Sequence, residues 1–198
     1  SSDLLEREQE ALASRRRELD EELAELADGV HRAPAPPPWR AERPARPGAP
    51  LWALCEFREE VAPKERAGLE AALEAAGILD AWVTPDGRVL DDAGADVFLV
   101  GAARVAERAL GTWLAPSIDP ADPLASQVAP ETVAGILDAI ATEPAGSAWV
   151  SPDGRFGLGV LRGRADKAEA EHIGHAAREQ ARRRRIAVLE AERTALEE

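Results

Sequence analysis

The chain of 198 residues has no methionine, one cysteine and two lysines, Lys64 and Lys167. The lone Cys55 excludes an intrachain disulfide and any cysteine-based zinc site. Within the apolar run LWALCEF it reads as a buried, inert thiol. No apolar stretch is long enough to span a bilayer, and no signal-peptide pattern is present; the expected compartment is the cytoplasm, with no membrane partner. Absence of methionine leaves the chain without a start residue, which fits an excised fragment better than a whole gene product. No GxxxxGK[ST] loop occurs, so the usual nucleoside-triphosphate cradle is missing. No Ser-His-Asp or paired-carboxylate arrangement can be picked out either. The expectation is a non-enzyme with no catalytic, cofactor-binding or metal residues.

Charge is plentiful but unevenly placed. The net charge of −13 argues against nucleic-acid binding over the whole surface, because phosphate affinity needs clustered Lys and Arg. Residues 1–32 carry −5, residues 33–165 carry −7, and residues 166–198 only −1, owing to the run Arg182-Arg183-Arg184-Arg185. Basic charge is almost all arginine, and Ala, Pro and Gly abound, as in coding sequences of high-GC bacteria.

Both ends of the chain read as helical arms. Residues 3–28 contain no Pro or Gly, and Leu5, Leu12, Leu19 and Leu26 recur every seven residues with Leu23 and Val30 in the companion positions. Glu, Asp and Arg fill the remaining faces, as in a coiled coil, and Gly29 marks the stop. Residues 166–198 are equally charged and Pro-free, with Ile186, Leu189 and Leu196 in heptad spacing and Arg193 interrupting it. Lone helices of this kind are marginal in water. The economical arrangement is an antiparallel intramolecular coiled coil of residues 1–32 with residues 166–198. Residues 33–50, APAPPPWRAERPARPGAP, exclude helix. They read either as a disordered linker or as an extended segment pinned by Trp39 and its arginines.

The centre repeats itself. AWVTPDGRV at 81–89 and AWVSPDGRF at 148–156 share seven of nine residues. Pro-Asp-Gly is turn chemistry. Carried backwards at an offset of 67 without gaps, the match pairs Pro63 with Pro130, Gly68 with Gly135 and Leu73 with Ile140. Each unit, 61–89 and 128–156, therefore reads as a helix with Pro in its first turn followed by a hairpin. Strands are also expected at 51–57, 97–100 and 156–162, and a short helix at 104–110. The predicted fold is α+β: a two-halved, pseudo-symmetric domain over 33–165, on the paired arms.

The stretches RPGAPLWALCEFREEVAPKERAGLEAALEAAGILDAWVTPDGRV and EAEHIGHAAREQARRRRIAVLEAE resemble the hinge region, with adjoining coiled coil, of the MukB-like SMC ATPase subunit of Wadjet-type bacterial condensins. The resemblance covers essentially the whole chain. It implies a hinge that homodimerises, in a parent protein whose ATPase heads lie elsewhere and bind none of their nucleotide here. It also implies kleisin and accessory subunits that contact the parent elsewhere, DNA loop extrusion, defence against plasmids, and a nucleoid-associated place in the bacterial cytoplasm. Glycine-bearing strand edges contribute to dimerisation in such hinges, which places self-association at Trp149, Phe156, Gly157, Leu158, Gly159 and Val160.

Other candidates have plainer readings beside the sharper ones. Arg182, Arg183, Arg184 and Arg185 wind around a helix and read as arm surface paired with Glu18–Glu25; the alternative is a weak DNA-binding collar. Arg40, Arg43 and Arg46 belong to the same rival reading, a DNA-binding module. A third reading is a coiled-coil adaptor with no DNA contact. His31, His172 and His175 suggest a metal site only if three rings converge; solvated or capping histidines are expected instead. Asp91-Asp92 and Asp119/Asp122 lie among Gly and Pro, where Asp is turn chemistry. Trp82 and Trp149 read first as core.

Overall fold

The computed structural model describes residues 1–89, 94–105 and 108–198. In chain order the elements are α1 (Ser2–Ala27), β1 (Ala49–Pro50), β2 (Cys55–Phe57), α2 (Pro63–Ala75), β3 (Trp82–Val83), β4 (Leu114–Pro116), α3 (Pro130–Leu137), β5 (Ala148–Val150), β6 (Arg155–Leu158), β7 (Leu161–Arg164) and α4 (His175–Glu197). The fold is α+β, with long helices at its two ends and small antiparallel sheets between. Residues 1–32 and 176–198 form one compact unit and residues 33–175 another.

In the first unit α1 and α4 pair. Leu19, Leu26 and Leu189 are buried, with Leu23, Ile186 and Leu196 packed against them, so the heptad positions in the C-terminal half of α1 form the seam. Arg15 donates two hydrogen bonds to Glu192 at 2.8 Å, Arg185 binds Glu22 at 2.9 Å, and Arg182 donates to the Leu26 carbonyl at 2.7 Å. Numbers rise along α1 as they fall along α4: the pair is antiparallel. That register brings Leu12 level with the last turn of α4 and carries Leu5 past it, and both are exposed. Gly29 at φ +82° ends α1, as its position in the sequence suggests.

The second unit is organised around two similar passages. In each, a 3-10 turn (Leu51–Ala53, Leu110–Thr112) leads to a short strand, and these strands, β2 and β4, pair antiparallel with Cys55 opposite Pro116 and Phe57 opposite Leu114. The Leu51 N–H donates to the Ala81 carbonyl at 3.0 Å, and the Leu110 N–H to the Ile140 carbonyl at 2.8 Å. Helices α2 and α3 both begin on proline, Pro63 and Pro130, whose missing N–H is harmless there. Leu69 and Leu73 from α2 meet Val133, Ile136 and Leu137 from α3 in one core, together with Leu51, Leu54, Leu110 and Leu114. Cys55 is buried in it.

The helices also cross over. Gly68 of α2 lies against the Pro152 carbonyl in the second Pro-Asp-Gly turn, leaving no room for a Cβ. Thr132 of α3 hydrogen-bonds the Pro85 carbonyl at 3.4 Å in the first turn, and a Cβ on Gly87 would come within 3.0 Å of its methyl. Each helix thus rests on the turn belonging to the other repeat. Neither copy completes its own packing.

Several expected elements come out differently. Among the described residues, only the second Pro-Asp-Gly turn makes a hairpin, joining β5 to β6; residues 90–93, after the first turn, lie outside them. The first follows β3, whose neighbours are β1 on one side and a parallel bridge at Phe98 on the other. The strand expected at 97–100 reduces to that bridge. The segment 156–162 is two strands, β6 and β7, broken by the turn Gly159-Val160. Of 104–110, residues 106 and 107 lie outside the described residues; no α-helix forms over the rest, where Arg108 adopts φ +41° and Leu110 opens the 3-10 turn. The C-terminal arm begins near residue 175 instead of 166, because residues 167–173 are bound into the central unit. Among the described residues, no helix is long and apolar enough to cross a membrane.

Candidate functional site

The three-stranded sheet β5-β6-β7 holds all six residues singled out for self-association, and it divides them. Trp149, Phe156 and Gly157 are buried, Phe156 as part of the central core shared with α2 and α3. A Cβ on Gly157 would overlap the Trp149 indole, and one on Gly163 would reach within 2.6 Å of the Phe156 ring. These glycines therefore seat the molecule's own aromatics, so the close approach suggested by their spacing is internal. Leu158, Gly159 and Val160 lie at the hairpin tip, where Gly159 and Val160 are exposed. Gly159 takes φ +57° at the first corner of a two-residue turn, the place where such hairpins favour glycine. Val160 beside it is fully exposed, and Leu161 is 55% exposed.

The sheet's outer face is basic. Arg155 stands opposite Arg164, and Arg162 opposite Gly157, with its guanidinium 5.9 Å from the centre of the Trp149 ring. Arg155 and Arg164 also approach Asp153 (3.5 Å) and Asp166 (3.1 Å). These are exposed pairs that contribute little.

The arginine run on α4 faces its own arm. Arg182 and Arg183 bind Glu179, and Arg185 binds Glu22 of α1. Glu179, held between two guanidiniums by hydrogen bonds, titrates at about 2. Arg182 and Arg185 thus reach across to α1, Arg183 pairs only within its own helix and stays 74% exposed, and Arg184 makes an interaction of its own.

Arg40, Arg43 and Arg46 answer the question left open about residues 33–50: this segment is ordered, and the arginines pin it. Arg40 forms an ion pair with Asp80; Arg43 and Arg46 converge on Asp96 at 2.9 and 2.5 Å. Burial opposes ionisation of Asp96, but hydrogen bonds from Arg43, the Val97 N–H and Arg46 outweigh it and hold the carboxyl at about 2. Arg43 and Arg46 also lie over the Trp82 ring, 5.2 and 4.5 Å from its centre, a favourable cation–π arrangement. Trp39 is 56% exposed, so the pinning shown here is that of the arginines. With their side chains mostly covered, these arginines offer no phosphate-binding face.

The feature that sequence reasoning missed is Glu70. It is fully buried on α2 and accepts hydrogen bonds from the N–H groups of Glu171 (2.6 Å), His172 (2.9 Å) and Ile173 (2.8 Å), and from Lys167 Nζ (3.0 Å). A buried carboxylate is tolerable when its lone pairs are filled in this way. Around it, Lys167 also approaches Glu74 and Glu171, and His172 Nε2 lies 3.5 Å from Glu74. Hydrogen bonding to His172, and the nearby Lys167, lower the Glu74 pKa despite burial. Burial works against the Lys167 ammonium, yet Glu70 and its neighbours raise its pKa. One signal was available: at the repeat offset, Glu70 corresponds to Leu137, a core position.

The remaining candidates are structural. Among the described residues no group of three His, Cys, Asp or Glu is placed to hold a metal ion. Asp119 accepts the Ala121 N–H, and Asp122 those of Leu124 and Ala125, which is turn chemistry. Asp91 and Asp92 lie outside the described residues. A groove of about 370 Å³ lined by Glu60, Val61, Glu65, Arg108, Thr112 and Trp113 is open to solvent and gathers no catalytic set. Compared with models of known protein families, with curated proteins and with solved structures, the chain matches none.

Proposed function

We propose that this chain is the hinge-type dimerisation domain, with stubs of its coiled-coil arms, of a MukB-like SMC ATPase from a Wadjet-type condensin. The observation that carries this reading is the antiparallel pairing of the chain's two ends, through Leu19, Leu26 and Leu189, while everything between them folds as a separate compact unit. A chain that goes out along one helix and returns along its partner suits a protein whose working heads lie at the far end of the arms. Two passages that share one core, each helix resting on the other's turn, fit a pseudo-symmetric hinge.

In this role the domain joins two arms at one end, so that engagement of the heads at the other can act on enclosed DNA. Loop extrusion, plasmid defence, nucleoid association and contacts with kleisin and accessory subunits belong to the parent assembly. The self-association surface is assigned to the hairpin tip, Leu158, Gly159 and Val160, whose exposed valine has no packing role within the chain. A twofold dimer would use this patch twice. Arg182 and Arg185 are engaged within the helix pair, and the chain's net charge of −13 further disfavours the DNA-binding alternative.

Light scattering behind size exclusion tests the proposal. At tens of micromolar the chain is expected to elute with the mass of two copies, and Val160→Asp to elute as one with an unchanged circular dichroism spectrum. A strict monomer for the parent chain would overturn the hinge reading.

A further inference from the structure

Strand β7 is the edge of its sheet, and its backbone register leaves hydrogen-bonding groups facing outwards. Along β6 the Ser151 N–H donates to the Arg155 carbonyl at 2.8 Å and the Gly159 N–H to the Ser147 carbonyl at 2.8 Å. Odd-numbered residues of β6 therefore turn their backbones towards β5. Alternation directs those of Phe156 and Leu158 towards β7, where Gly163 and Leu161 stand opposite. The N–H and C=O groups of Arg162 and Arg164 then point off the sheet, where no described strand pairs with them. An open edge of this kind invites another strand unless something blocks it.

A second copy of β7 is a poor occupant. Antiparallel self-pairing must keep matching faces together, so it sets Arg162 opposite Arg162, or Arg162 opposite Arg164. Like charges directly opposite one another destabilise a strand pair. The same side chains select the opposite charge, on a chain that is otherwise strongly acidic. We propose that β7 is a docking edge for an extended acidic segment of a partner protein, which adds as a fourth strand and places carboxylates at alternate positions against Arg162 and Arg164. The backbone groups supply pairing and the arginines supply selectivity, the usual division in recognition by strand addition. A nucleic acid would meet the charges but leave the outward N–H and C=O groups unpaired. The groups it uses, the outward N–H and C=O of residues 162 and 164, differ from the adjoining hairpin-tip side chains assigned to self-association.

The test uses the whole chain and two synthetic nine-residue peptides, one alternating Glu with Val and the other alternating Lys with Val. Binding is read by fluorescence anisotropy, and backbone protection by amide hydrogen exchange. The Glu peptide is expected to bind with an affinity that falls as salt is raised, to protect the Arg162 and Arg164 amides, and to exceed the Lys peptide by about tenfold or more, as two opposed charge pairs allow. Arg162→Pro removes one outward N–H without touching the bonds to β6, and is expected to abolish binding while light scattering and circular dichroism stay unchanged. The double variant Arg162→Glu/Arg164→Glu is expected to reverse the preference between peptides. Equal binding of both peptides, binding without protection at residues 162 and 164, or protection by a single-stranded oligonucleotide in place of the Glu peptide would overturn the proposal. A failure of dimerisation leaves these readouts intact, so the two ideas can fail independently.

Discussion

Trp82 and Trp149 hold the same place in two copies of one nonapeptide, and each is covered by a different part of the chain. The turns that follow them are alike in detail. Gly87 N–H donates to the Thr84 carbonyl, and Gly154 N–H to that of Ser151, both at 3.0 Å; Arg88 and Arg155 donate their N–H groups to Asp86 and Asp153. Each indole also meets a glycine with no room for a Cβ and has arginine above its ring. For Trp82 these are Gly48, Arg43 and Arg46, from the proline-rich segment; for Trp149 they are Gly157 and Arg162, from its own hairpin. What the copies retain is the turn and a demand for cover. The source of that cover differs: the second copy is covered by its own hairpin, the first by residues 43–48.

The largest difference between the two copies is expected at Glu70, which stands where the second copy has Leu137. Glu70→Ala strands three N–H groups and Lys167 without their acceptor, and is expected to lower the unfolding free energy by about 3–5 kcal/mol. Denaturant titration followed by tryptophan fluorescence measures this. Equal losses for Glu70→Ala and for Glu74→Ala, at a half-exposed neighbour, would show that the buried site has no special weight.

Next in size is a pair of identical changes at repeat-related positions. Gly68→Ala drives a methyl into the Pro152 carbonyl, and backbone cannot yield as a side chain can; a loss of about 1–3 kcal/mol is expected. Gly135→Ala meets nothing within 4 Å and removes a glycine from a helix, for an expected gain of about 0.5–1 kcal/mol. Thermal melts are expected to shift in opposite directions for the two variants; matching signs would undo the crossing of helices over turns.

The smallest effect is in the cover of Trp82. Asp96 titrates at about 2, below its ordinary 3.8. Its contribution is therefore complete above about pH 4 and declines as pH falls from there towards 2. Hydrogen exchange should show residues 41–48 losing protection in that window, before β5 and β6 do, since the cover of Trp149 does not depend on a comparable carboxylate.

How far the sequence foretold this varies with the physics behind each signal. Periodicity located both arms, because burial in a helix pair recurs every seven residues, and Leu19, Leu26 and Leu189 form the seam. Leu5 and Leu12 continue the same heptad but are exposed, lying past or level with the last turn of α4. Proline spacing placed the starts of α2 and α3, and Pro-Asp-Gly placed both turns, since these are local backbone preferences. Strand partners were not legible: nothing in AWVTPDGRV says that β3 will pair with β1 instead of folding back. The role of Glu70 was hidden for the same reason, its partners lying about a hundred residues away. The arginines of residues 40–46 were noticed, but whether they bind Asp80 and Asp96 or solvent is decided by tertiary contacts that composition does not encode.

Glu70 also determines how tension would travel. A pull along α4 enters the central unit at His175 and meets the bonded amides of residues 171–173 only two residues later. The load passes through a fully buried side chain into the middle of α2, so the connecting segment cannot pay out slack. Stretching at this end must either break those bonds together or move α2 itself, and with it the turn of Pro152 that α2 supports.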